Sequence, residues 1–144
     1  MREAAEPLLF DTGFLVRHYK GHEGVAAYLE RTEGRRRLTT TINLKEVMVG
    51  LRNYAGIETP SFSEVRSDFG WLRVFPFDAE HAWRASELEA PLHRDDGTNR
   101  AKINQLTADL LIAAVAAEEG ATVVTRNDDD FDRFDIDTAW PTGL

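Results

Sequence analysis

Residues 105–131, QLTADLLIAAVAAEEGATVVTRNDDDF, decide the fold. They hold an apolar helical segment, a glycine stop at Gly120, a β-branched run TVVT at 122–125, and an acidic turn or short helix. A helix feeding a short buried strand is the repeating step of a parallel α/β sheet. The same stretch holds an anomaly. From Ile103 to Ala117 every residue is apolar, small or uncharged except Asp109. An unpaired carboxylate in a buried helix costs on the order of several kcal/mol, so its presence needs a reason.

Working outward, the same alternation recurs. PLLFDT (7–12) reads as a buried strand that opens a turn at Asp11, Thr12 and Gly13. Residues 22–34 read as a helix closed by Gly34, and RLTTTIN (37–43) as a second strand. Leu44, Val47, Met48 and Leu51 recur at helical spacing, which predicts an amphipathic helix over 43–54. Ser61 and Glu64 match a capping box and open a helix over 61–72, broken near Gly70. RVFPF (73–77) is a short strand whose Pro76 argues for an edge or a strand end. A helix over 78–90 is expected to stop at Pro91, and the polar residues 93–105 to form a surface loop. The central helix is expected over about 107–119, and a last edge strand over 136–140. This order predicts one α/β domain spanning residues 1–144, with a mainly parallel sheet.

Composition narrows the chemistry. The chain has 144 residues, no cysteine and a net charge of −8, so disulfides, iron–sulfur clusters and thiolate zinc sites are excluded. Residues 1–10 lack the apolar core of a signal peptide, and the longest apolar run, 110–117, is too short to span a bilayer. A cytoplasmic protein is the simplest expectation. An acidic balance argues against general nucleic-acid binding but leaves room for an enzyme that meets nucleic acid through a metal and local arginines. Arg35, Arg36 and Arg37, and more loosely Arg94, Arg100 and Lys102, read first as solvated charge. His18, His22, His81 and His93 lack ligand spacing, and no dinucleotide, P-loop or nucleophile-elbow motif occurs.

The carboxylates carry the functional signal. In an open parallel sheet, ligands bind beyond the carboxyl ends of the strands. Asp11 ends the first strand, Glu46 opens the helix after the second, and Asp128, Asp129 and Asp130 follow the fourth. Asp109, placed in the first turn of the central helix, reaches the same edge if the crossover before it wraps back. Each has a plain alternative: Asn43 and Glu46 match a capping box, Asp109 suits a helix N-terminus, Asp11 an Asx turn, and NDDDFD a polar loop. Their convergence is harder to explain so. Four carboxylates on one edge repel, a divalent cation relieves that repulsion, and hard oxygen ligands select Mg²⁺ or Mn²⁺.

Asp-Thr after the first strand, Glu in NLKEVMVGL, Asp in TADLLIAAVAAEEG, and VVTRNDDDF together resemble the PIN-domain family, and within it the VapC-type toxin ribonucleases of toxin–antitoxin pairs. The resemblance implies a three-layer α/β/α sandwich with a four- to five-stranded sheet. It implies an Mg²⁺- or Mn²⁺-dependent endoribonuclease in which Asp11, Glu46, Asp109 and Asp130 are the catalytic, metal-binding acids, with Asp128 as an alternate for Asp130. Thr12, Thr125 and Asn127 take the supporting polar positions. It further implies an RNA substrate, a homodimer and a small antitoxin protein of the VapB type. Two other readings stand beside it: a silent regulatory module of the same fold, and a phosphoryl-receiver domain. The latter calls for paired acids near the first strand and a late lysine, whereas LLFDTG has one Asp and the last lysine is Lys102.

Overall fold

The structure is a computed structural model that describes residues 5–53, 58–95, 97 and 99–144. Five strands pair in the order β3-β2-β1-β4-β5, every pair parallel. They are β1 (Leu8–Phe10), β2 (Arg37–Thr40), β3 (Arg73–Phe75), β4 (Thr122–Val124) and β5 (Thr138–Ala139). The edge position of β3 follows from Pro76, which has no N–H to continue a ladder. All of β1 is buried, as a strand covered on both faces must be.

Alternation along the strands sorts the core into two layers. Leu9, Leu38 and Val123 face one side, under α5 (Ala79–Arg94), α6 (Arg100–Glu119) and α7 (Asp128–Asp132). Leu8, Phe10 and Val124 face the other, under α1 (Thr12–Tyr19), α2 (Glu23–Arg31), α3 (Thr41–Asn53) and α4 (Phe62–Asp68). The result is the three-layer α/β/α sandwich. Gly120 ends α6 at φ 63°, the left-handed conformation in which glycine carries no Cβ penalty. The Ser61–Glu64 capping box is formed at the start of α4.

Several expectations are corrected. The predicted turn after β1 is instead the start of α1, with Asp11 as its N-cap accepting from Thr12 N. α3 begins at Thr41, inside the stretch predicted as strand, and the expected last residue of that helix, Tyr54, lies outside the described residues. Asn43 is therefore not a cap. It sits in the first turn, where its N–H donates to Thr40 Oγ1. α5 continues through Pro91 to Arg94, because Leu88 and Leu92 pack against the core on either side of the proline. The expected loop 93–105 is mostly helix. Asn99 caps α6 by accepting from Lys102 N, and Asp96 and Thr98 lie outside the described residues. Asp109 is consequently the tenth residue of α6, not part of its first turn. A helix-dipole explanation for it lapses, since that effect fades within one turn.

Candidate active site

The central strands β2, β1 and β4 end side by side in buried polar residues: Thr40, Asp11 and Thr125. Asp11 is 7% exposed and both its oxygens are engaged. Oδ1 accepts from Thr12 N and from Asn43 Nδ2, each at 2.9 Å, and Oδ2 accepts from Thr125 Oγ1 at 2.6 Å. Thr12 Oγ1 then donates to Glu46 Oε1 at 3.0 Å, which ties α3 to the end of β1. Asn43, fully buried, also reaches Thr12 Oγ1 at 3.2 Å and accepts from Thr40 Oγ1 at 2.7 Å. The expected capping pair Asn43–Glu46 is thus replaced by two separate bonds into the site.

Asp109 is half-buried on α6 among apolar neighbours. Its pKa is pushed from 3.8 to about 7. Burial is the largest cause, followed by hydrogen bonding to Asp130 and by the charges of Asp11, Asp130 and Glu46. Acids from three other elements therefore act on Asp109 of α6: Asp11 at the end of β1, Glu46 on α3 and Asp130 on α7. Within the acidic triplet the structure separates the members. Asp130 is half-buried and acts on Asp109, whereas Asp128 and Asp129 are exposed. Asp128 lines a separate hollow with Thr125, Arg126 and Trp140. Asn127 is exposed, with its backbone N–H donating to Thr125 Oγ1 at 3.0 Å.

The donors are all carboxylate, amide or hydroxyl oxygens, a set suited to a hard divalent ion. Among the described residues no three or more acids and histidines stand close enough together to hold a metal ion as they are placed. The fit rests on donor chemistry and on the proton that Asp109 retains, which a cation would displace. Asn43 is the site residue that sequence reasoning took for a helix cap. Its signal was a lone amide between β-branched TTTI and the helix LKEVMV.

A parallel sheet between two helical layers, with an acid quartet at its carboxyl edge, defines a PIN-like α/β/α protein. The sequence profile described as PIN domain matches residues 8–137, and the chain belongs to the PIN-domain family. No curated protein is significantly similar in sequence. Among solved structures, the DNA-bound VapBC of Salmonella typhimurium superposes with a TM-score of 0.73 at 22% identity, covering 94% of this chain and 98% of that one. FitAcB of Neisseria gonorrhoeae gives 0.71 at 23% identity, covering 95% and 99%. VapC20 of Mycobacterium tuberculosis, a sarcin-ricin loop cleaving toxin, gives 0.54 at 17% identity over 85% and 92%. At such identities the likeness is one of fold. No helix among the described residues is long and apolar enough to cross a membrane.

Proposed function

We propose that this protein is a divalent-metal-dependent endoribonuclease, a hydrolase of RNA phosphodiester bonds that acts in the cytoplasm as the toxin of a type II toxin–antitoxin pair. One observation carries the reading: Asp109 stands mid-helix in an apolar layer beside three other acids, and burial first, then those acids, push its pKa to about 7. Such a carboxylate costs stability as a structural group and gains a use only as a ligand. Asp11, Glu46, Asp109 and Asp130 would hold Mg²⁺ or Mn²⁺. Bound there, the ion would supply charge neutralisation for a phosphodiester and acidify a water. Asp11 is held to one orientation by three donors, and Thr125 and Asn43 supply two of them. Thr12 positions Glu46 in the same way. Glu46 and Asp130, each partly exposed, are suited to orient the attacking water and accept its proton.

The VapBC and FitAcB neighbours support a small VapB-like antitoxin as partner, and a homodimer is proposed with it from the family resemblance alone. VapC20 supports RNA as substrate. The decisive experiment compares wild type with Asp109→Asn on a structured RNA, with Mg²⁺, with Mn²⁺ and with EDTA. Wild-type cleavage that needs the metal, and a loss of at least about 100-fold in the variant, is expected. An Asp109→Asn protein that cleaves at the wild-type rate sinks the assignment.

A further inference from the structure

The proposed nuclease centre is acidic and RNA is a polyanion, so something beside the acids must attract and seat the strand. Two guanidinium groups stand next to the centre, and neither is paired with a carboxylate among the described residues. Arg17 lies on α1, the helix that Asp11 caps, and Arg126 directly follows Thr125, the donor to Asp11. Topology therefore hangs one cation from each of the two central strands that carry the site. Both converge on the same aromatic ring: Arg17 Cζ is 5.1 Å and Arg126 Cζ 5.9 Å from the centroid of Trp140.

The two contacts differ in kind. Arg17 is anchored by donating to Gly13 O at 2.9 Å. Arg126 is exposed, and its ring contact lies at the outer limit for a cation–π pair, about 6 Å. Its side chain makes no hydrogen bond to another described residue, so leaving the ring breaks none. Trp140 itself is fixed. Its Nε1 donates to Leu144 O at 3.1 Å and its ring meets Phe14 edge-on at 6.3 Å. The ring borders a hollow of about 340 Å³, lined also by Thr125, Arg126, Asp128, Thr138 and Ala139. That is at the small end of ligand sites, room for one nucleotide.

Resting on the nuclease reading above, we infer that Trp140 and Arg126, backed by Arg17, form the subsite for the nucleotide flanking the scissile bond of a single-stranded RNA. An unpaired base enters the hollow and stacks on Trp140, and Arg126 turns from the ring to the adjoining phosphate. Thr125 borders both the hollow and Asp11, so seating that nucleotide positions the next phosphodiester at the acids. A base inside a duplex has no free face to offer, so the subsite selects loops and single strands.

The test uses the full chain and a short fluorescent single-stranded RNA. Arg126→Ala, an exposed change, should raise KM roughly tenfold, the usual scale for losing one stacking or phosphate contact. The slope of log KM against log salt should shrink by about 0.7, the share of one phosphate contact on a single strand. With Ca²⁺ replacing Mg²⁺ to hold cleavage back, the RNA should quench tryptophan emission in wild type and not in Trp140→Phe, which keeps a ring against Phe14. If Arg126→Ala cleaves with wild-type KM and salt slope, or the quench survives in a folded Trp140→Phe, the subsite is wrong and the nuclease reading stands. If wild type neither binds nor cleaves RNA with any divalent ion, the nuclease reading falls and takes the subsite with it.

Discussion

Asp109 is an acid whose proton is retained by its surroundings rather than by its own chemistry. Burial comes first among the causes, and Asp130, Asp11 and Glu46 add to it. Its pKa of about 7 in the folded protein lies above the ordinary 3.8, so between those values the folded chain keeps a proton the unfolded chain has released. Stability of the metal-free protein therefore falls as pH rises from about 4 to about 7 and is level above that. Asp109 is only half-buried, so solvent screening trims the effect to a few degrees of Tm. A melting series in EDTA from pH 5 to pH 8 should show that decline, and Asp109→Asn should flatten it and melt higher than wild type at pH 8. A wild-type Tm that climbs over this range would contradict the shift. The same proton competes with any cation, so Mn²⁺ affinity should rise as pH passes through 7.

At the scale of elements, Pro91 is the misfit. It lies thirteenth in the sixteen-residue α5, lacks the N–H that would meet the Glu87 carbonyl, and crowds that carbonyl. Leu88 and Leu92 nonetheless pack on the core, so burial outweighs the break. Pro91 is exposed, and Pro91→Ala should stabilise by about 1–2 kcal/mol after the lost rigidity of the unfolded chain is deducted, read as a rise in Tm of a few degrees. A lower Tm would mean the proline holds a bend that α5 needs. This element also explains how far the sequence could be read. Strands β1, β2 and β4 were legible because β-branched or apolar runs ended at polar residues, and α6 was legible from about Thr107 onward by a run whose one charge before Glu118 is Asp109. Its first seven residues were not, because Arg100–Leu106 is polar apart from Ala101, Ile103 and Leu106 and only the Asn99 cap marks the start. α1 was hidden by Gly13, a poor helix former directly after its cap. For the site, the four acids stood out as charges in the wrong places. Asn43 did not, since a buried amide and a helix cap use the same residue type and only the partner, Asp11 Oδ1 at 2.9 Å, tells them apart.

For the whole molecule, the quartet is the place where both cores meet. Asp11 and Glu46 come from elements packed on the α1–α4 side, Asp109 and Asp130 from elements on the α5–α7 side. The charges of Asp11, Glu46 and Asp130 oppose ionisation of Asp109 across the two layers, within a chain that already carries a net charge of −8. Monovalent salt screens such repulsion everywhere but only in part where water is excluded. A divalent ion held by all four acids would instead fasten both layers at once, so its effect should be global and cooperative. At an Mn²⁺ concentration about 100 times Kd the gain is about 2.7 kcal/mol, which for a domain of this size is a shift of roughly 5–10 °C in a single melting transition. The control is NaCl from 50 to 500 mM without Mn²⁺, which should raise Tm by less. Asp109→Asn should start from a higher Tm in EDTA and lose most of the Mn²⁺ shift, because it removes both the strain and the ligand. If Mn²⁺ does no more than NaCl, or stabilises Asp109→Asn as much as wild type, the acids do not act together on a cation and the proximity at the sheet edge is electrostatic accident.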